Sequence, residues 1–126
     1  MPRKSLELMT ESMLYTLMAM QTGPRCGTEI SAYVEALTRG GVQLGPGTLY
    51  TILNKFLEVG YLREVAVEGR KRTYALTAEG RAAYGQELER LRRCLRDAAS
   101  AAVLSPEEGG VSDEGPDLAA APLPAL

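Results

Sequence analysis

The strongest hydrophobic pattern in the chain lies in residues 45–57. Its apolar positions recur at intervals of three and four, as on one face of an α-helix: Leu49, Ile52, Leu53, Phe56 and Leu57. Pro46 suits the first helical position, because its fixed φ favours the helix and its missing N–H costs nothing there. The opposite face is polar, and Gly60 follows the predicted helix in the position of a C′ glycine. The pattern predicts an amphipathic helix, and such a pattern alone is also typical of ordinary packing helices.

Two further helices are predicted before this one. Residues 6–20 are apolar over more than one face, which indicates a helix buried on two sides, one against its own domain and one against a partner subunit. Residues 21–24 end it. A second helix is predicted over residues 27–39, ended by two glycines at 40–41. The residues expected on its apolar face are Ile30, Tyr33, Val34 and Leu37.

The pattern changes to that of β-structure after residue 60. Residues 61–67 are rich in β-forming residues, and residues 72–76 alternate, with Tyr74 and Leu76 inward. Residues 68–71 contain a glycine and are expected to form the turn of a β-hairpin. The cations at its tip and at the start of its return strand are consecutive: Arg70, Lys71 and Arg72. A cationic turn of this kind can also serve solubility alone.

A long helix is predicted over residues 78–104. Thr77 suits the N-cap, and Glu79 lies in the positive first turn. A narrow apolar seam follows at spacings of four and three: Tyr84, Leu88, Leu91, Leu95, Ala98 and Ala102. Since so small a domain cannot bury such a seam, the helix is expected to pair with a second chain. Residues 105–126 form an acidic Ala/Pro-rich tail that is predicted to be disordered.

Charge is distributed unevenly along the 126 residues. The net charge is −2, but residues 1–100 hold all 14 Lys/Arg and 11 of the 16 Asp/Glu, so they carry +3. The remaining 26 residues carry −5. The part predicted to fold is therefore mildly basic, and the acidity belongs to the tail.

Candidate chemistry is sparse. The chain has no histidine, and its two cysteines, Cys26 and Cys94, are too far apart for a metal-binding motif. No catalytic constellation is present, so an enzyme, a bound metal and a cofactor are not expected. With no secretory segment and no apolar run near 18 residues, the chain is expected to be cytoplasmic, with reduced thiols and no membrane span.

The order of elements predicts a mainly α protein with a small β-hairpin. Three helices followed by a basic hairpin match a winged helix-turn-helix, and the long last helix is expected to mediate dimerisation. The predicted divisions are a DNA-binding domain over residues 1–77, a dimerisation helix over 78–104 and the tail over 105–126. The residues expected at the dimer interface are Met9, Met13, Tyr84, Leu88, Leu91, Leu95 and Ala98.

The third helix and the hairpin supply the predicted contacts to double-stranded DNA. The helix N-terminus can offer N–H groups to a phosphate, and Tyr50 and Thr51 can add hydroxyl contacts. Asn54 could reach a base edge, ideally adenine. The hairpin cations would follow the backbone or enter the minor groove. The full predicted set is Gly47, Thr48, Tyr50, Thr51, Asn54, Lys55, Arg70, Lys71 and Arg72.

Two motif blocks resemble the PadR family of bacterial transcriptional regulators, named after a regulator of phenolic acid decarboxylase. The first block lies within residues 47–62 and consists of Gly-Thr-Leu-Tyr at 47–50, Leu53, and Leu-Glu-Val-Gly-Tyr-Leu at 57–62. The second block is Gly-Arg-Lys-Arg-Thr-Tyr-Ala-Leu-Thr-Ala-Glu-Gly at 69–80. The resemblance covers about residues 6–100. It implies a winged-helix homodimer, usually a repressor, on a palindromic operator with half-sites about 34–36 Å apart.

The single helix after the hairpin resembles the smaller PadR subfamily. This resemblance implies that the dimer holds a flat aromatic or drug-like effector between its subunits. Some of those sensors stack the ligand on tryptophan, and this chain has none. Many members carry His-Gly at the start of the second helix, where this chain has Cys26-Gly27.

Several side chains admit two interpretations. Met9, Met13, Met18 and Met20 could line a ligand pocket or fill core and interface. Each cysteine could be redox-active or inert, and Cys94 could also form an intersubunit disulfide.

Other features are equally open. Tyr50 could pack on the hairpin as well as contact phosphate, and Arg92, Arg93 and Arg96 could be solvated or form intersubunit ion pairs. The acidic tail could be inert or compete with DNA for the hairpin. The alternative function is a winged-helix interaction module that dimerises and docks a partner protein without binding DNA.

Overall fold

The computed structural model describes residues 9–104, which form four α-helices and one three-stranded antiparallel sheet. In chain order the elements are α1 (Glu11–Ala19), β1 (Arg25–Cys26), α2 (Gly27–Thr38), α3 (Pro46–Val59), β2 (Leu62–Glu68), β3 (Lys71–Leu76) and α4 (Ala78–Leu104). The predicted fold class, a winged helix-turn-helix followed by a long helix, is confirmed. Residues 6–8 of the predicted first helix and the predicted tail lie outside the described residues.

The first helix begins later than its apolar pattern indicates. Thr10 is the extended N-cap of α1, and its side-chain oxygen accepts a hydrogen bond from the Met13 N–H (3.2 Å). This cap fixes the helix start at Glu11. The prediction that Met9 and Thr10 are helical is therefore wrong, and Met9 is a half-buried residue that precedes the helix. Leu17 and Met20 enter the core from α1.

Helix α2 follows its prediction within one residue but not its whole predicted face. Ile30 and Val34 are fully buried, whereas Tyr33 is half-buried and Leu37 is 50% exposed. The neighbouring elements do not enclose the last turn of α2, so periodicity alone placed Leu37 inward wrongly. The helix ends at Arg39, which adopts the left-handed conformation (φ 53°).

Helix α3 begins and ends as its sequence predicts. Pro46 is the first residue, and Gly60 closes the helix in the left-handed conformation (φ 85°). The Tyr61 N–H donates to the Phe56 carbonyl (2.8 Å), and the two rings lie 5.7 Å apart, as in a Schellman end with its apolar contact. The residues of α3 buried in the core are Leu49, Ile52, Leu53, Phe56 and Val59; Leu57 is half-buried.

The sheet contains one strand more than the predicted hairpin. β1 pairs with β3 in the order β1-β3-β2, with Arg25 opposite Tyr74 and Cys26 opposite Thr73. A two-residue strand has too few positions to show alternation, which is why the sequence pattern missed it. In the hairpin, which we call the wing (residues 61–76), pairing continues to Glu68 and Lys71.

The wing turn is therefore shorter than the predicted four residues. Only Gly69 and Arg70 lie in it, and Gly69 has φ 62°. A positive φ at the first of two turn residues is typical of a type II′ hairpin, where glycine is favoured. The register shifts between Glu64 and Ala66, which leaves a β-bulge in β2.

The start of α4 is bonded to the end of α3. Thr77 is the N-cap, as predicted, because its hydroxyl oxygen accepts from the Gly80 N–H (3.0 Å). The same hydroxyl donates to the Gly60 carbonyl (2.6 Å), and the Thr77 N–H donates to the Tyr61 carbonyl (3.0 Å). These bonds join the first turn of α4 to the junction between α3 and the wing.

Contacts divide the chain into two units, with the boundary between Glu87 and Leu88 inside α4. In the second unit Glu89 forms exposed ion pairs with Arg92 (3.7 Å) and Arg96 (3.8 Å) along the same helix. Both arginines thus have partners within their own helix. Exposed pairs of this kind add little stability, about 0.3–0.5 kcal/mol each.

Candidate nucleic-acid interface

The outer face of α3 is exposed and polar in its first two turns. The exposed predicted contact residues are Gly47, Thr48, Tyr50, Thr51 and Asn54. The first turn of α3 contains no acidic residue, so its N–H groups meet no competing carboxylate on their own helix. Lys55 is half-buried and forms an ion pair with Glu58 (3.6 Å), so its charge is partly offset.

Two polar side chains on this face differ in what they can donate. The Thr51 hydroxyl donates to the Gly47 carbonyl (3.0 Å), which leaves its lone pairs but not its proton for a ligand. The Asn54 amide makes no hydrogen bond to any residue in the described range 9–104. Asn54 is therefore free to offer a donor and an acceptor together, as a bidentate contact to adenine requires.

The three wing cations are held to different extents. Arg72 donates from Nη1 to both carboxylate oxygens of Glu64 (3.1 and 3.3 Å) across the hairpin. Arg72 and Glu64 are 58% and 30% exposed, so this pair is partly screened by solvent. Arg70 lies in the turn and Lys71 at the start of β3, and both are exposed.

The wing and the N-terminal end of α2 enclose a cleft of about 610 Å³. We call it the wing cleft, and the residues that line it are Cys26, Gly27, Thr28, Glu29, Tyr50, Arg70, Lys71, Arg72 and Tyr74. It brings together four of the predicted DNA-contact residues, Tyr50 and the three wing cations. The other five, on α3, do not line it.

Tyr50 crosses from α3 to the start of α2. It is 51% exposed, and a Cβ added at Gly27 would lie 3.6 Å from its hydroxyl oxygen. The tyrosine thus shares the cleft with the wing while its hydroxyl lies near Gly27. Both interpretations of Tyr50, packing and phosphate contact, are compatible with this position.

Five residues of the cleft were not among the predicted contacts: Cys26, Gly27, Thr28, Glu29 and Tyr74. The Cys26 N–H donates to Glu29 Oε1 (2.8 Å), which is one half of a capping box at the start of α2. Glutamate three residues after the N-cap was the available sequence signal. Cysteine is an unusual N-cap residue, which obscured it.

Ionisation in the cleft is set by these bonds. Hydrogen bonds from Cys26, first from its backbone N–H, lower the pKa of Glu29, and nearby Lys71 and Arg25 lower it further. Burial raises the pKa of Tyr74, and the Glu64 carboxylate adds to the effect. At neutral pH the cleft therefore holds a carboxylate and a neutral phenol.

Arg25 anchors β1, the short strand that precedes α2. Its Nε donates to the Ala19 carbonyl (2.7 Å) and its Nη2 to the Thr22 hydroxyl (2.9 Å), while the guanidinium lies 4.4 Å from the Tyr33 ring centre. Cations at a helix C-terminus are favoured by the helix dipole. Arg25 thereby ties β1, and through it β3 of the wing, to the end of α1.

The sequence profile of the transcriptional regulator PadR-like family matches residues 16–86. This span contains the helix-turn-helix, the wing cleft and the first turns of α4. The chain belongs to the PadR-like family. The motif blocks at 47–62 and 69–80, from which the resemblance was inferred, both lie within the matched residues.

Solved structures agree with the PadR-like fold. A transcriptional regulator from Clostridium thermocellum superposes with a TM-score of 0.63 at 24% identity, covering 70% of this chain and 89% of that one. A PadR-like transcription factor from Bacteroides fragilis gives a TM-score of 0.60 at 20% identity, covering 71% and 87%. At these identities the likeness shows the fold alone.

A curated sequence relative is much longer than this chain. It is an uncharacterised 37.1 kDa protein of a Streptomyces fradiae transposon, 31% identical over 83 residues. The match covers 66% of this chain and 24% of the relative. The chain therefore spans about a quarter of the curated relative that it matches.

The predicted dimerisation residues of this PadR-like protein vary in burial within the single chain. Tyr84 is buried, Ala98 is exposed, and the remaining residues are half-buried: Met9, Met13, Leu88, Leu91 and Leu95. Among residues 9–104, Cys26 is a buried free thiol and Cys94 an exposed one. Over the same range, no cluster has the composition of a metal site, and no helix is long and apolar enough to cross a membrane.

Proposed function

We propose that this PadR-like protein is a bacterial, cytoplasmic repressor that binds a palindromic operator as a homodimer. The wing cleft is the observation that supports DNA binding most strongly, because it places the wing cations beside Tyr50 at the start of α3. In this proposal the outer face of α3 enters the major groove. The wing cations follow the adjacent backbone or minor groove.

The division of labour follows from the chemistry of each element. Arg70 and Lys71 are exposed cations that suit phosphate contacts, which supply affinity without sequence information. Asn54 is the side chain on α3 best suited to a base edge. Residues 1–100 carry a net charge of +3 despite the overall −2, which favours an anionic partner at this surface.

A binding measurement separates this function from the alternative of a protein-docking module. The duplex upstream of the protein's own gene and a scrambled duplex of equal length are titrated by fluorescence anisotropy at several salt concentrations. A regulator binds the first more tightly and loses affinity as salt rises. Failure to bind either duplex at low salt would favour the docking module.

Asn54→Ala is expected to relax sequence preference. If its amide makes a bidentate contact with adenine, the loss on the cognate duplex is about 1–3 kcal/mol, with little change on scrambled DNA. Competition binding with both duplexes measures this difference. An equal loss of affinity on the two duplexes would show that Asn54 does not read a base. Lys55→Ala is the neighbouring control, and its effect on affinity is expected to be the same on both duplexes.

Leu91→Arg is expected to disrupt the proposed homodimer. The seam residues Leu88, Leu91 and Leu95 are only half-buried within one chain, so a partner helix would complete their burial. Sedimentation velocity should show a shift from dimer to monomer. Ser100→Arg, at an exposed α4 position off the seam, should leave the dimer intact; a dimeric Leu91→Arg variant would move the interface elsewhere.

The family resemblance also supports release by an effector. We propose a small aromatic or drug-like molecule bound between the subunits. A thermal-shift screen with flat aromatic ligands tests this, since a ligand of the folded dimer raises its melting temperature. A hit that leaves the DNA affinity unchanged would not qualify as the effector.

A further inference from the structure

Of the residues that the structure describes, one acidic side chain lines the wing cleft among its three cations. Glu29 projects from the first turn of α2. Of the two acids within the wing, Glu64 is engaged with Arg72, and Glu68 lies opposite Lys71 in the hairpin register but does not line the cleft. A carboxylate is unfavourable where a phosphate is expected to approach, because like charges repel. Its presence there requires an explanation beyond the capping of a helix.

The position of this carboxylate is fixed. Its Oε1 accepts the Cys26 N–H at 2.8 Å, so it occupies the place where that amide could otherwise bind an anion. Because Glu29 is exposed, its side chain would swing freely without this bond. The cap therefore holds a negative charge in the lining of the cleft, within electrostatic reach of Lys71.

We propose that Glu29 limits the affinity of this protein for DNA of any sequence. It occupies the anion position at the start of α2 and offsets the charge of Lys71. Contacts to the DNA phosphates therefore contribute less to the binding free energy, and base contacts by α3 determine how long the protein stays bound. This inference rests on the proposed DNA-binding function. The ligand chemistry is the phosphodiester backbone of duplex DNA.

Glu29→Gln tests the charge without removing the cap. Glutamine can accept the same bond from the Cys26 N–H, as it does in natural capping boxes. We expect the variant to bind both a cognate and a scrambled duplex about two- to five-fold more tightly at low salt, the range of an exposed charge pair. The slope of log K against log salt should steepen by up to about 0.9.

Glu35→Gln is the matched control. It makes the same charge change on an exposed residue of the same helix that does not line the cleft. We expect little change in affinity. If Glu29→Gln gains no more than Glu35→Gln, or binds more weakly than wild type, the proposal is overturned while DNA binding itself stands.

A second variant separates local charge from any change in folding. In a Lys71→Gln background, Glu29→Gln should gain less than in wild type, because the charge that it offsets is gone. An undiminished gain would overturn the pairing of Glu29 with Lys71. Wild-type protein that binds neither duplex at low salt would instead overturn the proposed function, and this inference with it.

Discussion

Replacing Arg70, Lys71 and Arg72 together by alanine is expected to weaken binding to every duplex by roughly 10- to 100-fold at low salt. The estimate assumes about 0.5–1 kcal/mol for each lost phosphate contact. The slope of log K against log salt should flatten by about 0.9 for each contact. Anisotropy titrations over roughly 50–200 mM salt measure both quantities.

Arg63→Ala is the control for this experiment. Arg63 is an exposed cation on β2 that does not line the wing cleft. Its replacement by alanine removes one positive charge, the same change in net charge as a single substitution in the wing. A single substitution at Arg63 should flatten the slope less than one at Lys71. An unchanged salt slope in the triple variant would show that the wing does not contact phosphate.

Arg72 is expected to contribute less to that loss than Arg70. Its guanidinium is already engaged by Glu64, so a phosphate must compete with an existing partner. Single alanine variants should therefore rank Arg72 below the other two. This order was invisible in the sequence, where the three cations are simply consecutive.

Gly80→Ala is expected to destabilise the fold strongly. A Cβ at this position would overlap the Tyr61 carbonyl oxygen and approach Leu76 Cδ1 to 2.8 Å. The backbone of α4 must then shift away from Gly60 and Tyr61, to which Thr77 binds it. Overpacking of this kind costs about 1–3 kcal/mol, which corresponds to several degrees in melting temperature for a chain of this size.

Gly85→Ala provides a control within the same helix. Within residues 9–104, a Cβ added there has no heavy atom within 4 Å apart from its chain neighbours and the backbone of its own helix. Alanine is favoured over glycine in a helix interior by about 0.5–1 kcal/mol, so this variant should melt at a higher temperature than wild type. If thermal unfolding shows the two variants shifting in the same direction, the close approach of α4 to Tyr61 is not what constrains Gly80.

Helix positions could be predicted from sequence where periodicity and end residues agree. In α3 the apolar face, Pro46 and Gly60 all indicate the same element, and the structure confirms it. In α1 the apolar pattern begins several residues before the helix does, because the cap at Thr10 sets the start of the helix. Leu37 shows the complementary limit, since periodicity identifies a helical face but not how far its neighbours cover it.

The candidate site was predictable on one side only. The wing cations and the face of α3 were visible as exposed, chemically distinct residues. The opposite wall was missed because β1 is two residues long and its role depends on pairing with a strand almost fifty positions later. Non-local pairing of so short a segment leaves no periodic trace. Glu29 was missed for a different reason, because a cysteine N-cap obscured its capping box.

The pairing of β1 with β3 has a mechanical consequence for recognition. β1 leads directly into α2, pairs with β3 and is anchored by Arg25, so a swing of the wing away from the helix-turn-helix would have to break this pairing. We expect such a protein to present α3 and the wing to DNA at a nearly fixed spacing. Duplexes whose groove width or bend already matches that spacing would bind with little deformation energy. Stiffer duplexes that must be deformed to match it would bind more weakly.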